Sequence, residues 1–190
     1  MTSVTTHCPH CQAVQPVPPN STYFDILPAS HGNTPTFDIN TNQLRRAFLT
    51  IQQRVHPDAY ARKDEREREL AEQQSSWLNH AYHTLRDPLA RAQYLLQLYD
   101  VDISESESIA SPELLMTVMQ AREDIEETED DVRIEAIAGE NNLRIDATLN
   151  ALKTAFQSRD IDRAKELTIE LKYWYRIKTA IRTWEDDRHH

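Results

Sequence analysis

Two short stretches carry the residue types and spacings that could do chemistry. The first is His7-Cys8-Pro9-His10-Cys11. A Cys-x-x-Cys pair can offer two thiolates to one cation from a single turn, and zinc asks for four nitrogen or sulfur ligands in a tetrahedron, so Cys8 and Cys11 make half of a zinc site. His7 or His10 could complete it, ligands from elsewhere could, or the thiols could hold nothing. Cys8 and Cys11 are the chain's two cysteines. They lie too close together to staple a core, which makes them a metal or redox pair rather than a disulfide framework and favours a reducing compartment. The second stretch is His56-Pro57-Asp58. Proline there ends a helix and fixes φ, so the imidazole and the carboxylate are presented from a stiffened turn. Two uses fit: a rigid protein-docking tip, or a helix end at which His56 complements the helix dipole and Asp58 caps the next turn.

The elements that must position this turn are helices. Leu44, Ala47, Phe48, Ile51 and Val55 recur at helical spacing after a start at Asn40 and Gln43 that reads as a capping box, which predicts a helix over 41–55 with Arg45 and Arg46 facing away from its core. Leu70, Trp77, Leu78, Ala81, Tyr82 and Leu85 make a second stripe that stops at Asp87-Pro88, and a shorter helix runs from 89 to 98. Two antiparallel helices thus flank a polar loop from His56 to about Glu67. Arg45, Arg46 and Arg54 give the first helix a basic outer face beside the turn.

Ser111 before Pro112 is an N-cap followed by proline at the first helical position. In the helix that follows, Leu114, Val118, Ala121 and Ile125 share one face, and Leu115, Met116 and Met119 lie about 100° or more away from it. A second helix aligns Ile134, Ala138, Ile145, Leu149, Leu152 and Phe156 despite Gly139, which costs about 1 kcal/mol there. A third aligns Ala164, Leu167, Leu171, Trp174, Lys178 and Ile181, with Tyr173 off the stripe. A three-helix bundle consumes one face of each helix, so Leu115, Met116, Met119 and Tyr173 are left over, for a partner or for packing elsewhere in the chain. Seven acids between 123 and 131 form a solvated face or steer a basic partner, with Glu123 and Glu127 continuing the Met116–Met119 flank.

Composition agrees with an all-α fold and narrows the partners. Two glycines in 190 residues are too few for the turns of a many-stranded sandwich or barrel. No run approaches the roughly 18 apolar residues of a membrane span, at a mean hydropathy of -0.69. A net charge of -10 argues against nucleic acid, which calls for a basic patch. Six of the nine prolines fall in residues 1–40, which hold no Lys or Arg, so this part reads as an extended arm. The organisation expected is an arm over 1–22, a helical domain over 23–99, a linker over 100–111 and a bundle over 112–190. The first 22 residues show neither secretory nor transit-peptide character.

The order of residues around the turn is similar to a known module. Tyr23-Phe24-Asp25-Ile26-Leu27 upstream, His56-Pro57-Asp58, then Asn79-His80-Ala81-Tyr82-His83-Thr84-Leu85-Arg86-Asp87-Pro88 and Arg91-Ala92-Gln93-Tyr94-Leu95-Leu96 resemble a J-domain, by which co-chaperones stimulate ATP hydrolysis in DnaK-type heat-shock chaperones. Leu114-Leu115-Met116, Met119, Arg122, Glu123 and Leu171-Lys172-Tyr173-Trp174 extend the resemblance, over about residues 23–182, to the HscB-type J-proteins of iron–sulfur cluster assembly. What the resemblance implies is a J-domain joined to a three-helix bundle that binds an IscU-type iron–sulfur scaffold protein. His56, Pro57 and Asp58 would carry ATPase stimulation, and Leu115, Met116, Met119, Glu123 and Tyr173 would bind the scaffold. It also implies the mitochondrial matrix for a eukaryotic source and the cytoplasm for a bacterial one. Some eukaryotic members carry two Cys-x-x-Cys pairs ahead of the J-domain, where this chain shows one.

An enzyme is disfavoured. His56 and Asp58 are neighbours on an exposed turn without cleft or oriented nucleophile, and no glycine-rich loop cradles a phosphate. The expectation is a non-catalytic adaptor that requires no cofactor, with a possible zinc at Cys8 and Cys11. The alternatives are a J-domain co-chaperone for another client and a plain helical interaction module.

Overall fold

The structure, a computed structural model, describes residues 6–10, 13–28, 32–103 and 111–188. Its elements are α1 (Tyr23–Ile26), α2 (Thr41–Val55), a 3-10 turn (Pro57–Tyr60), α3 (Glu65–Arg86), α4 (Pro88–Leu98), α5 (Pro112–Glu127), α6 (Asp131–Ser158) and α7 (Ile161–Arg188). The chain divides into two compact units, 1–91 and 92–190, with the division inside α4. The linker read at 100–111 lies mostly outside the described residues.

In the first unit, Asn40 Oδ1 accepts from the main-chain N–H groups of Asn42 and Gln43 at 3.1 Å, satisfying two donors that the first turn of α2 leaves open. Asp64 Oδ1 does the same for Glu67 N at 2.9 Å, so α3 starts at Glu65 and the connecting loop is shorter than the sequence suggests. Phe48 stacks on Tyr82 at 4.2 Å, and Gln52 Nε2 donates to Ser75 Oγ at 2.9 Å. The partners run in opposite directions along the chain, so α2 and α3 are antiparallel. Leu44, Leu78 and Leu85 are buried between them together with Phe24, Ile26 and Leu27, each such side chain worth about 1.5–3 kcal/mol of burial. Arg91 Nη1 donates to the Leu85 carbonyl at 2.6 Å, and its guanidinium lies 4.7 Å from the Phe37 ring. The loop after α1 is thereby tied to the end of α3.

The arm departs from the extended segment expected of it. Its residues fold back as an antiparallel bridge between His7 and Val14, with Cys8 N–H donating to the Ala13 carbonyl at 2.8 Å and Gln15 N–H to the Thr6 carbonyl at 3.0 Å. Val14, 3% exposed, packs in a cluster with Tyr60, Ala71 and Leu70. Gln74 Nε2, fully buried on α3, donates to the Gln15 carbonyl. Prolines deny the arm a helix, and its backbone groups are met within the bridge and, at the Gln15 carbonyl, by α3.

In the second unit α7 packs against both α5 and α6. Ser111 Oγ accepts from Leu114 N at 3.3 Å and starts α5, and Asp130 Oδ1 accepts from Val132 N at 3.0 Å and starts α6. The acidic run is therefore broken by a turn, because Thr128 caps α5 and Asp130 caps α6. Two core assignments change. Ile177 is buried and Lys178 is exposed, since one step of about 100° separates them and the bundle takes the apolar one. The buried face of α6 includes Ile137, Asn141 and Thr148, while Ala138 and Leu149 sit at its margin. Asn141 Nδ2 donates to the Trp174 carbonyl at 3.0 Å, which makes a polar residue tolerable there. Trp184 Nε1 donates to the Thr128 carbonyl at 3.0 Å and fastens the end of α7 to the α5–α6 turn.

Candidate functional site

The His-Pro-Asp turn is built at the end of α2. His56 leaves helical geometry at φ -62, ψ 128, as a residue before proline must, and Pro57 opens the 3-10 turn. His56 Nδ1 accepts from Asp58 N–H at 3.3 Å and lies 3.7 Å from Asp58 Oδ2. An Nδ1 that accepts leaves the proton on Nε2, so the neutral ring offers a donor to whatever meets the turn. The Asp58 side chain is 92% exposed and that of His56 51%. The ring and carboxylate of the turn are thus oriented by each other and by the backbone and still face solvent.

Arg45, Arg46 and Arg54 are exposed on α2. Arg54 stands in the last turn, where a cation complements the helix dipole. Arg45 precedes His56 by eleven residues, about 16 Å along the axis and close to the same azimuth, so the basic face and the turn can present one extended surface.

Sequence reasoning missed a support beneath the turn. Tyr60, the last residue of the 3-10 turn, donates from Oη to the Arg54 carbonyl at 3.0 Å. His7 Nε2 lies 2.6 Å from Tyr60 Oη, and Thr6 Oγ1 lies 3.0 Å from His7 Nδ1. Burial and the Arg54 charge hold the His7 imidazole below its usual pKa. Burial, and then the Glu67 carboxylate, raise the Tyr60 phenol. No periodic pattern announces such a contact, because it joins residues more than fifty positions apart.

For zinc, Cys11 lies outside the described residues. Cys8 sits at an end of the arm's bridge, and His7 has both ring nitrogens engaged, by Thr6 and Tyr60. His7 is thus unsuited to complete a metal site without giving up Tyr60. Among the described residues no group of three or more His, Cys, Asp or Glu side chains is placed to hold a metal ion.

The second candidate surface is on α5. Leu115, Met116 and Met119 are 45%, 71% and 62% exposed, and Glu123 and Glu127 continue the Met116–Met119 flank in the open. Leu114 is half-buried, and Val118, Ala121 and Ile125 are buried on the other side. Tyr173 is half-buried on α7, its ring 5.0 Å from the Arg176 guanidinium. α5 packs on α7, which puts Tyr173 in the same unit as the exposed flank. The turn and this flank belong to different units.

A J-type co-chaperone of Saccharomyces cerevisiae, mitochondrial JAC1, is 30% identical over 171 residues, covering 86% of this chain and 89% of the relative. The chain belongs to the HscB family of iron–sulfur cluster co-chaperones. A family model described as the HSCB C-terminal oligomerisation domain matches residues 110–182 of this HscB-family chain. The iron–sulfur cluster co-chaperone protein HscB of Mus musculus is 28% identical over 92% of this chain and 74% of its own length. Among solved structures, human HscB superposes with a TM-score of 0.88 at 26% identity, covering 95% of this chain and 90% of that one. HscB from Vibrio cholerae gives 0.79 at 29% identity, covering 87% and 99%. The HscB-type resemblance and the all-α fold hold, and no described helix is long and apolar enough to cross a membrane.

Proposed function

We propose that this HscB-family chain binds an IscU-type iron–sulfur scaffold protein, delivers it to a DnaK-type chaperone and stimulates that chaperone's ATP hydrolysis, promoting cluster transfer. The observation that carries the reading is the exposed, self-oriented His56-Pro57-Asp58 turn at the end of an antiparallel hairpin, in a chain aligned over most of a J-type co-chaperone. Residues 23–99 would form the J-domain, and 112–190 the scaffold-binding bundle.

The two ends of the task call for different physics. His56, Pro57 and Asp58 would make the specific contacts with the ATPase, with Arg45, Arg46 and Arg54 drawing in an acidic partner surface and raising the encounter rate. Leu115, Met116, Met119 and Tyr173 would give the scaffold an apolar centre, and Glu123 and Glu127 a charged rim. In this reading the protein acts by binding, and the ATP hydrolysed belongs to the partner. A zinc ion on Cys8 and Cys11 would be structural, held by those two thiolates and ligands other than His7. The location would be the mitochondrial matrix in a eukaryote and the cytoplasm in a bacterium.

The family description of the C-terminal part as an oligomerisation domain favours one second reading, in which the exposed α5 flank meets another copy of the chain. One experiment separates them. The ATPase rate of a DnaK-type chaperone is measured with this protein, with an IscU-type scaffold, and with both, alongside sedimentation of this protein alone. Stimulation that rises more than additively with scaffold supports the delivery reading. Self-association blocked by Met116→Ala and Met119→Ala, with no scaffold effect, supports the other.

A further inference from the structure

Residues 54–60 form a closed bracket around the docking turn. Arg54 lies in the last turn of α2, where main-chain carbonyls lack helical partners, and its carbonyl is met by the Tyr60 hydroxyl at 3.0 Å. That bond joins the residue two before His56 to the residue two after Asp58. The path of the turn therefore depends on where Tyr60 is held.

Tyr60 is held by the arm. With its proton committed to Arg54, Tyr60 Oη accepts from His7 Nε2–H at 2.6 Å, which assigns that tautomer and leaves His7 Nδ1 to accept from the Thr6 hydroxyl at 3.0 Å. Thr6, His7, Tyr60 and Arg54 thus form one directed chain of hydrogen bonds in which each member fixes the next. Val14 packs with the Tyr60 side chain, and Gln74 on α3 anchors the Gln15 carbonyl. The arm thus meets Tyr60 with an apolar contact and an imidazole, and a backbone anchor on α3 holds it in place.

We propose that arm segments 6–8 and 13–15 are a positioning clamp for the His56-Pro57-Asp58 turn, acting through the His7–Tyr60 hydrogen bond. This rests on the reading of the turn as the surface that docks on the ATPase. The clamp lowers the cost of ordering the turn when the partner binds, so its loss weakens docking without changing what the docked turn does. His7 and Tyr60 are positioning residues; neither needs to touch the partner.

The test uses the full-length protein, a DnaK-type chaperone and four variants: His7→Phe, His7→Gln, Tyr60→Phe and the double Phe variant. Single-turnover ATPase rates are titrated against co-chaperone concentration, and amide hydrogen exchange is read at Asp58 and Ala59 without partner. His7→Phe should raise the half-saturating concentration about fivefold, the factor one net hydrogen bond is worth, and Tyr60→Phe, which also loses the bond to the Arg54 carbonyl, by more than that, with the maximal rate retained in both. His7→Gln, which keeps a donor, should restore most of the affinity, and the double variant should be no worse than Tyr60→Phe because both act on one chain of bonds. Exchange at Asp58 and Ala59 should quicken in the Phe variants at an unchanged melting temperature. Wild-type half-saturation in both Phe variants, or a loss that follows melting temperature, overturns the clamp. A wild-type protein that fails to stimulate at all overturns the docking reading instead, and the clamp then stands or falls on the exchange rates.

Discussion

Trp174 Nε1 on α7 donates toward two oxygens at once, Thr148 Oγ1 of α6 at 3.2 Å and Glu170 Oε1 of its own helix at 3.1 Å. Thr148 Oγ1 and Glu170 Oε1 are themselves 3.1 Å apart, so the buried indole closes a small polar triangle between two helices. Four residues before Thr148 on α6, the Arg144 guanidinium covers the same indole at 5.5 Å. This seam, with Asn141 one turn beyond it, sets the register of α6 on α7.

Two substitutions, one on α6 and one on α7, should separate register from stability. Asn141 is buried with Oδ1 unpartnered among the described residues, so Asn141→Leu should leave the bundle as stable or raise its melting temperature, since an orphan buried acceptor costs about 1–3 kcal/mol. Trp174→Ala should cost about 3–5 kcal/mol, from the cavity and the stranded triangle. Thermal unfolding followed by circular dichroism decides both. An Asn141→Leu variant that melts well below wild type would mean that the amide is needed for more than register.

His56→Gln should abolish ATPase stimulation and leave scaffold binding and melting temperature near wild type, because the side chain is half-exposed and its bond to Asp58 N–H is local. Reversing Arg45 and Arg46 to Glu should weaken docking less at high salt than at low, since exposed charges are screened over about 8 Å at physiological ionic strength. Stimulation titrated at two salt concentrations reads this. A loss independent of salt would point to misfolding.

Leu115→Ala, Met119→Ala and Tyr173→Ala together should remove most scaffold affinity, each truncation costing about 1–2 kcal/mol of binding. The two α5 side chains are exposed and Tyr173 is half-buried, so the triple variant should melt only modestly below wild type, with the drop traceable to Tyr173→Ala alone. Val118→Ala, on the buried side of the same helix, should do the reverse and lower the melting temperature while binding persists. Calorimetric titration with the scaffold beside a melting series checks the contrast. Normal binding by the triple variant would sink the client assignment.

Strong acid should loosen the α5–α6 turn. The Gln120 side-chain hydrogen bond, and next the Arg133 guanidinium, hold the Asp124 carboxyl below its usual 3.8. A carboxylate depressed in the folded state adds stability above its unfolded value, and that contribution fades as pH falls through the folded value. The difference in melting temperature between wild type and Asp124→Asn should therefore be present at neutral pH and shrink once pH drops below 3.8. A difference that stays constant into acid would show that the pairing with Arg133 contributes nothing.

Zinc, if the arm takes it, should depend on both thiols. Cys8→Ser and Cys11→Ser should each release the metal, and acid should do so as well because the ligating form is the thiolate. The far-ultraviolet helical signal should not change, since neither cysteine belongs to a helix stripe. Elemental analysis of the purified protein reads the metal directly, and metal-free protein ends the proposal.

The sequence determined by itself whatever depends on neighbours within a few turns. Asn40, Asp87-Pro88 and Ser111-Pro112 start and stop helices through local bonds and fixed φ, so α2, the end of α3 and the start of α5 could be read to within a residue. The surplus apolar face of α5 was legible for the same reason, because two stripes on one helix exceed what a bundle can bury. The tertiary structure decided what depends on distant partners. It chose Ile177 over Lys178 and admitted Asn141 and Thr148 to the core, because a polar group is accepted inside wherever another helix supplies its hydrogen bond. It also folded the arm back onto Tyr60. Period and propensity describe a chain against itself, and nothing in the spacing of Thr6, His7 and Val14 could announce a phenol more than forty residues away.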